Sequence, residues 1–275
     1  MNDVSVCSAL NPQQAQALAS RLNLPLINAL PHKKSWDSQR ILCWIADKQS
    51  VETDIETANI LALLSAQSGP VFIDFIGGKK NHRRQFGGGK GQPLARAIGI
   101  QQETPPTILD ATAGMGGDAF VFASLGCEVL MVERSPIVSA LLQDALERAN
   151  NTPDLEPEVS DIVQRLSLVN ADSADYLLSA RPDVDVIYMD PMYPEKKKAA
   201  SAKKEMKALQ NLVGPDMDSE KLLDAALRTA KQRVVVKRPA KAPTINGIQP
   251  NSEINSPNTR YDIYSIKALK AAGLV

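Results

Sequence analysis

Three short stretches of this chain carry residue types and spacings that can do chemistry. The first is DATAGMGGDAF, residues 110–120, entered from the apolar run Thr107-Ile108-Leu109. A β-branched run ends at Asp110, glycines cluster at Gly114, Gly116 and Gly117, and a helical segment opens at Asp118. Strand, glycine turn and helix in that order make a nucleotide-binding βα unit, in which the backbone lies against the ligand and the first helical amides point at it. The spacing is not the G-x-G-x-x-G of dinucleotide enzymes, and an incidental glycine turn is the competing reading. The second stretch is the strand-like run Val129-Leu130-Met131-Val132, which ends in Glu133, 23 residues after Asp110. An acid at that place holds a ribose diol in such folds. The third is the apolar run Val186-Ile187-Tyr188-Met189, which ends in Asp190-Pro191-Met192-Tyr193-Pro194.

An Asp-Pro-x-aromatic at the end of a strand resembles the signature of S-adenosylmethionine (SAM) methyltransferases that act on exocyclic amines. An amine conjugated to a base ring is a poor nucleophile because its lone pair is delocalised. A carboxylate at Asp190 that accepts one N–H turns the lone pair out of the ring plane towards an incoming methyl. Pro191 fixes the backbone at this turn, and Tyr193 is placed to stack on an unstacked base. Met192 stands where the commoner Asn/Asp-Pro-Pro-Tyr form has a second proline. The expected cofactor set is Asp110, the three glycines, Asp118, Glu133, Arg134, Asp172, Ser173 and Asp190. Asp172 and Ser173 follow the third strand, where a contact to adenine falls. For Asp118, Asp172 and Ser173, helix capping is the alternative.

Positioning these residues requires a parallel sheet, because ligands in such sheets gather at the carboxyl ends of the strands. From residue 107 strands and helices alternate: strands at 107–110, 128–133, 166–169, 185–189 and 233–237, with helices from Asp118, Pro136 and Ser219. Residues 150–160 read as a loop, and 195–215 as a long loop or partly helical lid. A last strand at 260–266 pairs with a short one near Glu253-Ile254 as a terminal hairpin. The fold class expected is α/β, a Rossmann-like methyltransferase sheet with helices on both faces, spanning 107–275. Residues 1–78 read as a small α+β subdomain: a helix over 11–22, a strand over 40–46, a short helix over Ile60–Leu64 and a strand over 71–76. Residues 79–106 form a basic glycine-rich arm and a linker helix from Pro93.

Composition narrows the class. A 44% hydrophobic and 23% charged chain is ordinary for a globular protein, and no apolar run is long enough to span a bilayer. MNDVSVCSALNPQQ lacks the basic start and apolar core of a signal peptide. Cys7, Cys43 and Cys127 are widely spaced and only two histidines occur, which points to reduced cytoplasmic thiols and no metal site. Net charge is zero, but the cations cluster. Lys79, Lys80, Arg83, Arg84 and Lys90 lie together without an acid; Lys196, Lys197, Lys198, Lys203, Lys204 and Lys207 follow DPMYP; Lys231, Arg233, Lys237, Arg238 and Lys241 form a third group. Each is a solvated face on its own; together they suit a phosphate-rich partner. The expected RNA-binding set is His82, Arg83, Arg84, Lys90, Lys196, Lys197, Lys198, Lys237 and Arg238. The arm is either this contact or a flexible linker; Lys90 is followed by Gly91, so it is no P-loop.

HRRQFGGGKG (82–91), DATAGMGGDAF, VER (132–134), DPMYP, KKEM (203–206), LVGPD (212–216), VVVKRP (234–239) and RYDIY (260–264) together resemble the bacterial ribosomal RNA small subunit methyltransferase J family, over about residues 70–266. The resemblance implies a cytoplasmic, SAM-dependent guanine-N2 methyltransferase acting on guanosine 1516 of 16S ribosomal RNA, free or in the small subunit. Family members often carry Arg where this chain has Gly117. The residues alone reach an amino methyltransferase acting on nucleic acid. An adenine-N6 DNA methyltransferase and a non-catalytic RNA-binding protein on the same fold stay open.

Overall fold

The computed structural model describes residues 4–32, 36, 39–46, 59–66, 69–77, 91–100, 104–192 and 218–274. The chain divides into two compact units. Of the described residues, the first comprises those up to Asp74 together with Ala140–Arg148, and the second comprises the rest. The first unit closes at Asp74, four residues before the boundary read from the sequence, and takes in residues 140–148 from the C-terminal segment.

The first unit holds a four-stranded sheet in the order β2-β1-β3-β4. Its elements are β1 (Val4–Cys7), α1 (Pro12–Leu22), β2 (Leu26–Ile27), β3 (Arg40–Ala46) and β4 (Asn59–Ser65). Helix α1 starts with Pro12 in the first turn, where its missing N–H costs nothing, and buries Ala15, Leu18 and Ala19. The short helix expected over Ile60–Leu64 is instead strand β4, paired antiparallel with β3 in the register Ile41↔Leu64 and Cys43↔Ala62. Ile60, Leu61, Ala62, Leu63 and Leu64 are all buried. A strand covered on both faces loses its alternation and cannot be told from a buried helix by periodicity. The strand expected over 71–76 is also corrected. Among the described residues, Val71 forms an isolated bridge to Leu63, and no strand is assigned over 71–76. Val71, Ile73 and Phe75 are nevertheless buried while Phe72 is exposed, so the period of two is real. Arg148 and Asp144, in the 140–148 stretch, tie this region down: Arg148 donates to the Ile73 carbonyl, and Asp144 accepts from Leu61 N–H at 3.2 Å.

The second unit is built on a seven-stranded sheet, order β10-β11-β9-β8-β5-β6-β7. In chain order the elements from residue 93 on are α2 (Pro93–Ile98), β5 (Ile108–Asp110), α3 (Gly117–Ser124), β6 (Val129–Glu133), α4 (Pro136–Asn150, of which 140–148 count with the first unit), α5 (Pro157–Gln164), β7 (Leu166–Asn170), α6 (Ser173–Ala180), β8 (Val186–Met189), α7 (Ser219–Thr229), β9 (Arg233–Pro239), β10 (Ser252–Asn255), β11 (Thr259–Ser265) and α8 (Ile266–Ala271). Strands β5 to β9 are parallel, and β10 and β11 close the edge as the expected antiparallel hairpin. The loop expected over 150–160 gives way to α5 from Pro157, whose Val159, Ile162 and Val163 recur at helical spacing and are buried.

Side-chain alternation divides the sheet's residues between two helical layers. Leu109, Val132, Ile187, Met189, Val234 and Val236 pack with Ala174 and Leu177 of α6 and with Leu222, Leu223 and Ala226 of α7. The alternate residues face α3, where Phe122 meets Tyr188 edge-on with ring centroids 5.0 Å apart. Chain order reverses between β5 and β8, which is the crevice where an open parallel sheet takes its ligand.

Candidate functional site

Asp110 and Tyr188 are register partners on β5 and β8, and Val235 of β9 is the partner of Tyr188. Two residues on, a strand returns to the same face. Asp190 therefore follows Tyr188, and Lys237 follows Val235, on the α3 side of the sheet. Glu133 reaches the same side, two residues after Met131, the partner of Asp110.

Gly114 and Gly116 lie at φ +53° and +68°, in the left-handed region that a side chain resists. They turn the chain from β5 into α3, with Gly116 capping the helix. Gly117 has ordinary helical backbone, and a Cβ built there would meet nothing within 4 Å. Open space thus lies over the turn. Glu133 is buried at 6% exposure and bolts the turn to β6: its Oε2 accepts from Gly114 N–H at 2.9 Å and its Oε1 from Ser135 N–H at 2.7 Å. A carboxylate has about four acceptor sites, so capacity for a diol is left. Asn170 at the end of β7 donates to the Glu133 carbonyl at 2.7 Å.

Deeper in the crevice the polar groups form one connected network. Tyr188, 1% exposed, donates its hydroxyl to Asp118 Oδ2 at 2.7 Å. Lys237 Nζ donates to the same oxygen at 2.8 Å and to Asp190 Oδ2 at 2.7 Å. Asp110, 2% exposed, accepts from Thr112 N–H at 3.1 Å, and the Thr112 hydroxyl oxygen accepts from Asp190 N–H at 2.6 Å. Burial pushes the Asp110 carboxyl up to about 8, the Thr112 N–H opposing and the charges of Asp118 and Asp190 assisting. Burial likewise holds the Tyr188 hydroxyl well above its ordinary value, with Asp118 and Asp190 adding to it, so it stays a neutral donor. Burial works against the Lys237 ammonium, but Asp190 and Asp118 outweigh it and Lys237 is held more firmly protonated than a free lysine. The lip of the network is open: Asp190 is 42% exposed, against 14% for Asp118. Pro191 is buried directly behind it.

The expected site residues fall into four groups. Asp110, Gly114, Gly116, Gly117, Asp118, Glu133 and Asp190 converge on the crevice. Asp172 caps α6 by accepting Asp175 N–H at 3.1 Å, the alternative the sequence left open. Ser173 is buried and donates to the Ala111 carbonyl at 2.6 Å, which makes it a brace for the glycine turn rather than a group presented to adenine. Arg134 forms an ion pair with Asp218 at 3.1 Å. Two of the expected phosphate contacts are corrected. Arg238 is only 3% exposed and donates to the Pro243 carbonyl inside the fold. Lys237 turns to the carboxylates of the crevice, not outward. Tyr193, His82, Arg83, Arg84, Lys90, Lys196, Lys197 and Lys198 lie outside the described residues.

Thr112 and Tyr188 are the site residues that sequence reasoning missed. Tyr188 had a signal, since a buried tyrosine hydroxyl in an apolar strand must find a partner; Thr112 had none beyond its place in the turn. Among the described residues no group of three or more His, Cys, Asp and Glu side chains is arranged to hold a metal ion.

The arrangement is an acid-lined crevice with open space over a glycine turn, which suits a ligand carrying a ribose and positive charge. Known proteins agree. Residues 41–266 match the family model described as "Putative SAM-dependent methyltransferase". The ribosomal RNA small subunit methyltransferase J of Hydrogenovibrio crunogenus is 62% identical over 264 residues, 96% of this chain and 95% of its own. That of Pseudomonas paraeruginosa is 44% identical over 92% of this chain and 98% of its own. A SAM-dependent methyltransferase of Neisseria gonorrhoeae, solved by crystallography, superposes with a TM-score of 0.69 at 28% identity over 95% of both chains. On sequence, fold and crevice together, the chain belongs to the ribosomal RNA small subunit methyltransferase J family of SAM-dependent methyltransferases.

Proposed function

We propose that this protein methylates the exocyclic N2 amine of a guanosine in 16S ribosomal RNA, the position implied by its family resemblance being guanosine 1516. The observation that carries the reading is the Asp190 carboxylate, half-exposed at the end of β8 and tied to the glycine turn through Thr112. SAM supplies an electrophilic methyl on a sulfonium. Gly114, Gly116 and Gly117 make room for its amino-acid part, Glu133 takes the ribose hydroxyls, and Asp118 and Asp110 line the region between. Asp172, at the end of β7, is the acid nearest in sequence to where adenine would lie.

Asp190 accepts one N–H of the target amine. This turns the nitrogen lone pair out of conjugation and gives the departing proton a place to go. As the N–C bond forms and the S–C bond breaks, that proton passes to the Asp190 carboxylate and on to solvent. Pro191 keeps the turn rigid, and Tyr193 stacks on the base. The basic arm around His82, Arg83, Arg84 and Lys90, with Lys196, Lys197 and Lys198, meets the RNA backbone. The names of the relatives support an RNA substrate; the exposed carboxylate beside an open cofactor crevice supports an amine as acceptor.

The test is transfer of labelled methyl from SAM to small ribosomal subunits from a strain lacking this gene, beside wild-type subunits and bulk DNA, with nucleoside analysis. Label as N2-methylguanosine in the unmodified subunits alone is expected. Label as N6-methyladenine in DNA would replace the substrate assignment, and SAM binding without any transfer would leave a binding protein.

A further inference from the structure

The two oppositely charged links of Lys237 go beyond what a methyl-transfer site requires for binding. Its Nζ spans Asp118 on α3 and Asp190 after β8, 2.8 and 2.7 Å away, from a third element, β9. Among the described residues, Asp110 from β5, Tyr188 from β8 and Lys237 from β9 interact with Asp190, and Asp118 from α3 shares Lys237 with it. Three are acids and one is a cation. Burial keeps Asp110 and Tyr188 uncharged near neutral pH, so without Lys237 the like charge of Asp118 would favour the protonated form of Asp190, in which it can donate but is a poor acceptor of an amine N–H.

We infer that Lys237 is a positioning residue for methyl transfer: its ammonium keeps the Asp190 carboxylate ionised and fixed in direction against Asp118, so that Asp190 meets the target amine as an acceptor. This rests on the reading of Asp190 as the amine's acceptor. The fixed direction comes from geometry: one Asp190 oxygen is held by Lys237, while the Asp190 N–H is held by the Thr112 hydroxyl at 2.6 Å. Backbone and carboxylate are thus pinned from opposite sides, by β9 and by the β5 turn. Tyr188 completes the frame. Its hydroxyl takes Asp118 Oδ2 from within the sheet at 2.7 Å, so Asp118 is anchored when Lys237 pulls on it. Precise placement of a reacting group is worth large factors in rate, and here three strands and a helix share the task.

Two substitutions with opposite signs test this. Lys237→Met removes the cation and should raise the midpoint of Asp190 ionisation by about 1–3 pH units, the usual effect of removing an adjacent opposite charge. Asp118→Asn removes a like charge and leaves Lys237 to Asp190, so it should lower the midpoint. Lys237→Arg keeps the charge and should return the midpoint towards wild type. The midpoint is read in two ways: by carboxyl carbon NMR of the cofactor-free full chain, and as the acid limb of kcat at saturating SAM on unmodified small subunits. Asp110 is a second titrating carboxyl in the crevice, so the series is repeated on Asp110→Asn, where the Lys237 shift should persist.

A midpoint that moves the same way in Lys237→Met and Asp118→Asn, or stays put in both, overturns the inference. So does a Lys237→Met protein that loses SAM affinity while its kcat and acid limb stay as in wild type. If Lys237→Met does not fold, the Asp118→Asn and Lys237→Arg midpoints decide alone. Failure of the underlying reading looks different: Asp190→Asn would then turn over like wild type, or wild type would transfer no methyl at all.

Discussion

In the proposed reaction Asp190 and Glu133 divide the work at the crevice, and their substitutions should separate it. Asp190→Ala is expected to abolish transfer while SAM affinity, measured by calorimetry, stays within a few-fold. Wild-type turnover would remove Asp190 from the reaction. Glu133 is more entangled, because each of its oxygens already accepts a backbone N–H. Glu133→Ala should therefore cost SAM binding about 1.5–3 kcal/mol, the range for a hydrogen bond to a charged group, and lower the melting temperature as well. Glu133→Gln keeps one acceptor oxygen and should lose affinity with a smaller loss of stability. Equal SAM affinity in all three proteins would take Glu133 out of the cofactor site. Ser173 behaves differently from both: its hydroxyl is spent on the Ala111 carbonyl, so its removal should register in stability first.

At the scale of elements, the β5–α3 turn contains glycines in two different conformations. Gly116 sits at φ +68°, where a Cβ costs about 1–2 kcal/mol. Gly117 has helical backbone and open space before it. Gly116→Ala should lower the melting temperature, whereas Gly117→Ala, in helical backbone with room for a methyl, should melt at or above wild type. Reversal of these two outcomes, in melting curves and calorimetry, would dismiss the assignment. Strand β5 also ends in Asp110, whose carboxyl burial raises to about 8. Since the folded state then holds a proton that the unfolded chain has released, stability is full below about pH 4 and falls as pH rises towards 8. Melting temperatures of the cofactor-free protein between pH 5 and pH 8 should show that decline, and Asp110→Asn should flatten it. An equal slope in both would show that Asp110 is not held protonated.

At the scale of the whole molecule, the catalytic sheet and the four-stranded N-terminal sheet are separate compact units, and the basic residues of 79–90 follow shortly after the first in sequence. Neutralising Arg83 and Arg84 should weaken binding to small subunits and flatten its dependence on salt, by about one unit of slope for each phosphate no longer neutralised. An unaltered slope in filter binding across a salt series would leave this stretch as a linker. No described helix is long and apolar enough to cross a membrane.

The sequence alone determined the order of the chemistry. In a parallel sheet every strand delivers its last residue to one edge, so Asp110, Glu133 and Asp190, each at the end of an apolar run, had to arrive near one another. The glycine turn, the terminal hairpin and the family followed from the same local patterns. Tertiary structure decided what depends on partners. Whether Ile60–Leu64 formed strand or helix turned on a neighbouring strand, because a run buried on all sides has no period to read. Val71–Ile76 had a strand's alternation but, among the described residues, forms an isolated bridge at Val71 rather than a strand. Lys237 and Arg238 are adjacent cations that looked alike in sequence. The two-residue period of β9 sends them to opposite faces, Lys237 to the acids of the crevice and Arg238 into the fold. Charge in a sequence says that a partner is needed; only the packed sheet says which one.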